Sequence, residues 1–430
     1  MSQNQFYPND TVPPGKFVGR TSELYTIFDQ INNRGHAAIY GSSGMGKSSL
    51  LKYIQSPNFW EEKGLELNFS KALIVYHNCN VSPTPKSFWQ EVLKELRNKA
   101  EDDTGLQDKI DGVLEKEEIE IRDIRQILKH IGEKDKFLLL ILDDYEKILR
   151  TPESYSKNYK KSQEMQTFLS GLRNLAVHST EGQYFSTVVA AFQTLHELGP
   201  ELPRGGSPWY NHYLYVDLKP FSQEDIDNYF FNPDSHFFIS IPDNISKKEV
   251  LEITGGYPRL LQYAGSIFSE PDPNIDINIF KEKFKKRTEQ IYENIWRELT
   301  VDEQYLLKLI IISNSNGEVS GKRYSLNDID KDFEANKSKL TTLQQKGVIY
   351  KKQEQKPDKY NFYSSLMQDL VRQKFEKILS DLEEREIVFE LERFRTKITQ
   401  KEASILKTIY RWFLNLLKEI SKIILFNKSE

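Results

Sequence analysis

A glycine-rich segment early in the chain carries the residues with the clearest chemical use. Residues 41–48 read Gly-Ser-Ser-Gly-Met-Gly-Lys-Ser and fit the pattern G-x-x-x-x-G-K-[ST] without a gap. The glycines allow the backbone to curl so that successive N–H groups point at phosphate oxygens. Lys47 brings a positive charge to the β- and γ-phosphates, and the Ser48 hydroxyl can ligate Mg²⁺. The segment therefore predicts that the protein binds a nucleoside triphosphate.

The residues on either side of this loop indicate the strand and the helix that a phosphate-binding loop requires. Residues 36–40 form a short apolar run typical of a buried strand, and residues 49–54 show the apolar spacing of a helix. The N-terminal end of such a helix favours bound anions. The residues expected to contact the nucleotide from this segment are Gly41, Ser43, Gly44, Met45, Gly46, Lys47, Ser48 and Ser49.

Acidic residues follow a second apolar run. Residues 137–142 are all apolar, and Asp143, Asp144 and Glu146 come after them. At the carboxyl end of a parallel strand these carboxylates would lie beside the phosphate loop. Asp143 is expected to hold Mg²⁺ through water, opposite Ser48. Asp144 or Glu146 would orient or deprotonate the attacking water, and the sequence leaves both open.

The elements that must position these residues alternate along the first half of the chain. Apolar runs and helical patterns follow one another from residue 17 to residue 218, which predicts an α/β fold with a parallel sheet. An acidic stretch at residues 101–123 is expected to be helical and solvated. The predicted strands are residues 37–40, 72–77, 137–142, 187–192 and 213–217.

The pattern changes after residue 218. Residues 219–290 look helical, and their first helix begins with a capping box formed by Ser222 and Asp225. Helical patterns at residues 303–313 and 336–346 then precede two short strands joined by a polar turn, an order typical of a winged helix. The predicted domains are an extended N-terminal segment (1–16), an α/β nucleotide domain (17–218), a helical lid (219–290), a winged helix (291–380) and an amphipathic helical tail (381–430).

Two further segments, taken with the phosphate loop and the acids, resemble the STAND branch of the P-loop ATPases, which are nucleotide-dependent switches related to AAA+ proteins. Residues 17–20 read Phe-Val-Gly-Arg, and residues 254–259 read Thr-Gly-Gly-Tyr-Pro-Arg. The resemblance implies that the first segment covers the adenine and that the second is a Gly-x-Pro element in the lid. In the lid element, Pro258 would pack on the base and Arg259 would reach the γ-phosphate. The residues assigned in this way are Phe17, Val18, Gly19 and Arg20 in the first segment, and Pro258 and Arg259 in the second.

Two further assignments concern the phosphate end of the site. Gln193 or Thr194, at the end of the fourth strand, is placed to touch the γ-phosphate or the catalytic water. Arg204 lies between the fourth and fifth strands, where AAA+ proteins place the arginine that completes a neighbour's site. Arg173 and Arg150 are alternatives for that role.

Composition excludes several classes of protein. The net charge of −4 argues against a protein built mainly to coat nucleic acid or an anionic membrane. The single cysteine, Cys79, excludes an internal disulfide framework and is expected to be buried at a strand end in a reducing cytoplasm. No uncharged apolar stretch of 18 residues occurs, so no membrane span is predicted.

Three functions remain open at this stage. The leading one is a cytoplasmic ATPase switch of the STAND type, of low turnover, that binds ATP or ADP with Mg²⁺ and assembles into homo-oligomers. It would serve in signalling or anti-phage defence with a separate effector or sensor. The second is a DNA-binding AAA+ protein of the origin-recognition or transposition-regulator kind, since residues 321–380 hold 13 Lys/Arg against 8 Asp/Glu. The third is a scaffold that binds ATP without turnover. The basic tail helix can pack internally, on a partner or on a membrane.

Overall fold

The computed structural model describes residues 5–62, 69–82, 84–150, 159–200, 208–319, 322–323, 329–352 and 359–381. Arg204, the turn predicted between the two wing strands (residues 353–358) and the tail beyond residue 381 lie outside these residues. Within the described part of the chain, no helix combines the length and the apolar character needed to cross a membrane.

A five-stranded parallel sheet forms the centre of the first half of the chain. The strands are β1 (His36–Tyr40), β2 (Ala72–Asn78), β3 (Phe137–Asp143), β4 (Phe185–Ala191) and β5 (Tyr213–Asp217). The five predicted strands are confirmed to within two residues at each end. The order in the sheet is β2-β3-β4-β1-β5, so the first strand lies between the two last ones.

Burial explains why these runs form a parallel sheet. Every residue of β1, β3 and β4 is buried, as expected for strands covered by helices on both faces. Such strands need continuous apolar sequence rather than the alternation of a half-exposed sheet. The helices in this part of the chain are α1 (Thr21–Asn32), α2 (Lys47–Ile54), α3 (Pro57–Glu62), α4 (Pro85–Lys99), α5 (Thr104–Leu114), α6 (Ile121–Glu133), α7 (Glu146–Leu149), α8 (Tyr159–Arg173) and α9 (Gln223–Tyr229).

The acidic stretch at residues 101–123 contributes more than a solvated face. It contains α5 and the start of α6, and both helices place apolar residues at helical spacing on one side. Leu106 and Ile110 of α5, with Ile124 and Ile127 of α6, are fully buried. The charged residues therefore form the outer faces of two amphipathic helices, of which α6 packs on the sheet and α5 packs on α4 and α6.

The remaining elements are mostly helical. The capping box predicted at Ser222 and Asp225 is confirmed at the start of α9. The elements are α10 (Lys247–Thr254), α11 (Pro258–Phe268), α12 (Ile277–Glu298), α13 (Val301–Asn314), β6 (Glu318–Val319), β7 (Lys322–Arg323), α14 (Ile329–Ala335), α15 (Lys337–Gln345), β8 (Ile349–Lys351), β9 (Tyr360–Phe362) and α16 (Ser365–Asp381). β8 pairs antiparallel with β9, as predicted, and the short β6–β7 pair was not predicted.

The chain folds into two compact units. The first comprises Met1–Lys247, Gly256–Thr288 and Gln345–Gly347, and thus contains the sheet and α11. The second comprises Lys248–Gly255, Glu289–Gln344 and the chain from Val348, and contains α13 to α16. In this second unit, Tyr292 of α12 and Ser364, the residue before α16, both donate to the carbonyl of Ile253 in α10. The domain boundaries given by the sequence stay predictions, as does the winged helix.

Candidate nucleotide-binding site

The predicted site residues gather at one edge of the sheet. All five strands are parallel, so the segments that follow β1, β3 and β4 leave the sheet at the same edge. The glycine-rich loop follows β1, the acidic residues end β3, and Gln193 and Thr194 follow β4. Residues that are about 100 to 150 positions apart in the sequence are therefore neighbours in the first unit.

The glycine-rich loop ends in the helix that the sequence predicted. Gly44 and Gly46 have φ values of 89° and 87°, a conformation that residues with a Cβ adopt only under strain. Gly46 is the N-cap of α2, so Lys47 and Ser48 present backbone N–H groups in the first helical turn. These N–H groups and the helix dipole together fit a phosphate group.

The Lys47 ammonium lies over the same loop. Its Nζ donates to the carbonyls of Gly41 at 2.6 Å and Ser42 at 3.2 Å. Ser43 is half-buried, and Met45 is buried with its N–H directed to the Ser42 carbonyl. The lysine is thus held at the mouth of the loop, where a bound triphosphate would take over its hydrogen bonds.

Arg20 contacts the backbone of the phosphate loop. Its guanidinium donates to the carbonyl of Met45 at 3.2 Å and to Glu23 at 3.1 Å, and it lies 4.7 Å from the centre of the Phe221 ring. Burial lowers the pKa of the Arg20 guanidinium, and Glu23 opposes that shift. Arg20 thus acts on the loop backbone, and its support of a bound nucleotide stays a prediction.

The neighbouring residues of this segment pack beside α2. Phe17 stacks on Tyr53 of α2 with ring centres 4.7 Å apart, and Val18 is half-buried. Gly19 has a φ of 71°, and an added Cβ would lie 2.9 Å from the Phe221 ring. The close approach at Gly19 is therefore made by an aromatic ring of the protein itself.

The start of α11 lies directly on the phosphate loop. The backbone N–H of Arg259 donates to the Gly44 carbonyl at 3.1 Å, and a Cβ added to Gly46 would lie 4.0 Å from Cβ of Pro258. The Arg259 side chain donates through Nε to the Pro8 carbonyl at 2.9 Å. The structure thus brings both predicted lid residues to the loop, although more than 200 residues separate them in the sequence.

Asp143 is the last residue of β3, and it has donors on both carboxylate oxygens. Oδ1 accepts from the N–H of Asp144 at 3.0 Å, and Oδ2 accepts from the Tyr76 hydroxyl at 2.9 Å. Each oxygen keeps a lone pair for a further contact. A carboxylate and the Ser48 hydroxyl fit Mg²⁺, which takes few protein ligands and keeps waters and phosphate oxygens. No group of three or more metal-ligating side chains occurs among the described residues.

Asp144 is held by two amides that the sequence analysis missed. Its Oδ2 accepts from Asn78 at 3.1 Å and from Asn80 at 2.6 Å. Both asparagines lie at the carboxyl end of β2, which neighbours β3 in the sheet. Polar residues at that end of the adjacent strand were the signal that could have found them. Asp144 must exchange these bonds if it is to contact water near a phosphate.

Glu146 is buried and its environment is unusual for a carboxyl group. Only 8% of its surface is exposed, and Oε2 has no hydrogen-bond partner among the described residues. Burial raises the pKa of Glu146 to about 7, although the nearby charge of Lys47 opposes the shift. A carboxyl group with a pKa near neutrality next to the phosphate-loop lysine can accept a proton. Both acids that the sequence left open therefore stay candidates.

The raised pKa of Glu146 predicts a pH-dependent effect of Glu146→Gln. The unfolded chain releases this proton near pH 4.5, whereas the folded protein keeps it up to about pH 7. The folded state binds more protons in that interval, so the free energy of unfolding of the wild type falls as pH rises. Glu146→Gln has no carboxyl group to titrate at this position, so its free energy of unfolding does not fall in this way. We expect it to be more stable than the wild type by about 3 kcal/mol at pH 8 and by less than about 1 kcal/mol at pH 5. Urea unfolding followed by circular dichroism measures the difference.

The control for that measurement is Glu133→Gln, which neutralises an exposed carboxylate at the end of α6. It should change the free energy of unfolding little at either pH. An equal gain for Glu146→Gln at pH 5 and pH 8 would contradict the raised pKa.

The two residues predicted to touch the γ-phosphate or the catalytic water, Gln193 and Thr194, follow β4. Thr194 is buried, and its hydroxyl donates to Oε2 of Glu197 at 3.0 Å. Gln193 is also buried. Of the candidate trans-acting arginines, Arg204 lies outside the described residues. Burial lowers the pKa of the His212 imidazole, and the nearby charge of Arg173 adds to the shift, so Arg173 lies near the start of β5, at the opposite edge of the sheet.

A connection between α15 and β8 also reaches the phosphate loop, which the sequence did not indicate. The Lys346 carbonyl accepts from both the hydroxyl and the N–H of Ser42, at 2.7 and 3.4 Å. The Gly347 carbonyl accepts from the Tyr257 hydroxyl at 2.8 Å. These contacts all lie within the first unit, and they fix the second residue of the loop.

Cys79 lies beneath the acidic residues. It follows β2 and is fully buried, as the sequence predicted. Burial raises the pKa of its thiol, and the charges of Glu146, Asp143 and Asp144 add to the shift. The thiol is therefore unreactive in the folded protein.

Comparisons with known proteins bear on the fold. Residues 30–195 match the model of a family described as an AAA domain. A Walker-type ATPase of Pyrococcus abyssi superposes with a TM-score of 0.52 at 16% identity, over 86% of this chain and 99% of that one. The ORC2 protein of Aeropyrum pernix, solved as ADPNP–ADP complexes, gives a TM-score of 0.46 at 13% identity, over 87% and 98%. No curated protein matches the sequence. The predicted P-loop ATPase sheet is confirmed.

Proposed function

We propose that the protein is an ATP-binding and ATP-hydrolysing switch of the STAND type. The observation that carries the proposal is the hydrogen bond between the Arg259 N–H and the Gly44 carbonyl, which joins the lid helix to the phosphate loop. A ligand bound to the loop therefore lies beside two elements that are far apart in the chain. Its binding energy can favour one arrangement of them over another.

The residues of the site divide the chemistry among them. The N-terminal turn of α2 and Lys47 would bind the phosphates, and Ser48 with Asp143 would hold Mg²⁺. The metal ion would supply neutralisation of charge on the phosphate oxygens. Asp144 or Glu146 would orient the attacking water or take its proton. Thr194 would donate to the γ-phosphate after leaving Glu197.

The surroundings of both candidate bases support slow turnover. Asp144 is held by two amide donors, and Glu146 is buried with a raised pKa. Asp144 has to give up its amide hydrogen bonds, and Glu146 has to lose its proton, before either carboxylate can act as a base. A slow ATPase of this kind keeps its nucleotide long enough to serve as a switch. Nucleotide exchange would then allow protomers to assemble. The assembly would engage a separate effector or sensor in signalling or defence. A cytoplasmic location fits the single cysteine, because thiols stay reduced there.

The switch predicts nucleotide-dependent protection from hydrogen exchange. ATP with Mg²⁺ should slow exchange in residues 219–381 of the wild type, because the nucleotide contacts α11 as well as the loop. Arg259→Ala should reduce that protection and leave the exchange of β1, β3 and β4 unchanged, because the sheet does not depend on this side chain. Arg122→Ala, which removes an exposed arginine of α6, is the control. Equal protection with and without ATP in the wild type would refute the switch.

A DNA-binding ATPase is the second candidate. Lys351 and Lys359 are exposed on or beside β8 and β9, and Lys352 follows β8. Cations on a two-stranded ribbon suit contacts to a phosphate backbone. Salt-dependent binding of duplex DNA that is lost in the variant Lys351→Glu with Lys352→Glu would favour this function. Multiple-turnover hydrolysis would exclude the third possibility, a scaffold that binds ATP without turnover.

A further inference from the structure

The N-terminal segment, residues 5–12, makes specific contacts with the lid helix α11. The Pro8 carbonyl accepts from Nε of Arg259 at 2.9 Å, and the N–H of Tyr7 donates to Oε1 of Gln262 at 3.0 Å. One turn further, the Tyr263 hydroxyl donates to Asn9 at 2.7 Å. Three consecutive residues of the segment thus bind polar groups along one side of α11.

The same segment then contacts the helix of the phosphate loop. The N–H of Val12 donates to the hydroxyl of Ser49 at 3.1 Å, and the Lys52 ammonium donates to the Thr11 hydroxyl at 2.7 Å. Ser49 follows Ser48, the residue expected to ligate Mg²⁺. Within five residues the chain therefore passes from the lid helix to the helix that binds phosphate.

An aromatic anchor holds the lid end of the segment. Phe6 is only 5% exposed and lies 6.3 Å, between ring centres, from Phe237. It packs on Gly265 of α11 so closely that a Cβ added there would come within 2.2 Å of the Phe6 ring. Glycine is unfavourable in a helix interior, so at this position it gives room for the ring.

We propose that residues 5–12 form a strap that ties α11 to α2 and controls the release of bound nucleotide. A nucleotide in the phosphate loop lies next to the start of α11, so it can leave quickly only when α11 moves away from α2. That movement breaks the strap's bonds to one helix or the other. The Pro8 carbonyl also fixes the direction of the Arg259 guanidinium, which makes Pro8 a positioning residue for this arginine.

This inference rests on the proposed binding of nucleotide at the loop. Its test is the dissociation rate of a fluorescent ADP analogue from the full chain, chased with excess ADP. Phe6→Ala should speed release at least about tenfold, which corresponds to about 1.4 kcal/mol, less than the cost of removing a buried aromatic ring. Phe168→Ala is the matched control, since Phe168 is 6% exposed and packs on Phe88 and Trp89 of α4. It should lower the thermal midpoint without changing the release rate.

A second variant separates the strap from general destabilisation. Gly265→Ala places a Cβ against the Phe6 ring and should displace the strap while favouring the helix. Release should be faster in this variant, and the double variant Phe6→Ala with Gly265→Ala should match Phe6→Ala alone, because both changes remove the same contact.

The outcomes distinguish the strap from the function on which it rests. If the wild type does not bind the ADP analogue, the proposed function fails. If it binds and Phe6→Ala releases it at the wild-type rate, or no faster than Phe168→Ala, only the strap is refuted. Additive effects of Phe6→Ala and Gly265→Ala would also overturn it.

Discussion

The variant Lys47→Ala is expected to lose ATP binding almost completely. Lys47 is the cation that the loop brings to the β- and γ-phosphates, and its ammonium already lies at the mouth of the loop on the Gly41 and Ser42 carbonyls. Without it, the phosphates would meet backbone N–H groups and the helix dipole but no side-chain charge from the loop. Isothermal titration with ATP in the presence of Mg²⁺ measures the loss.

The matched control for this experiment is Lys94→Ala. Lys94 is an exposed lysine of α4 whose ammonium pairs with Glu91, so its removal costs little. The control should bind ATP as the wild type does. Wild-type affinity in Lys47→Ala would contradict the assignment of the whole site, since every other role was placed around this lysine.

The second large effect is expected for the double variant Asp143→Asn with Asp144→Asn. It removes the metal-binding carboxylate and one of the two candidate bases, and the hydrolysis rate should fall on the order of 10²-fold or more. The fold should persist, because an asparagine oxygen at position 143 can still accept from the N–H of residue 144, while its amide group donates to the Tyr76 hydroxyl. Phosphate release under multiple turnover measures the rate, and circular dichroism checks the fold.

Single variants decide between the two bases. If Asp144 is the base, Asp144→Asn should by itself lower the hydrolysis rate strongly, whereas Glu146→Gln should leave it nearly unchanged. If Glu146 is the base, the order reverses, and the pH dependence of kcat should follow its pKa of about 7. Unchanged turnover in the double variant would move the chemistry away from Asp143 and Asp144, with Glu146 as the first residue to test.

The sheet and the phosphate loop could be predicted because their signals are local. A buried parallel strand needs an uninterrupted apolar run, and residues 137–142 supply one that ends at Asp143. The loop motif fixes glycines, lysine and serine within eight residues. In the same way, the capping box at Ser222 involves only residues 222 to 225. Such features depend on neighbours in the sequence, so a single chain is enough to find them.

The missed features depend on contacts across long stretches of sequence. The segment 1–16 was expected to be extended because of its prolines, but residues 8–10 form a turn and Pro14–Lys16 a 3₁₀ helix. The Phe6 ring can pack on α11 only because Gly265, 259 residues later in the sequence, has no side chain. The contact of the Lys346 carbonyl with Ser42 spans 304 residues. No local pattern reports contacts of this kind.

The burial of Cys79 makes the protein convenient for chemical labelling. It is the only cysteine of the chain and its side chain is fully enclosed, so thiol reagents should not modify the folded protein. A cysteine introduced on the surface can therefore carry a single dye without a background signal. The rate at which a thiol reagent modifies Cys79 would report how often the edge of the sheet near the acidic residues opens. The decrease of that rate with bound nucleotide would measure how far the ligand stabilises this edge.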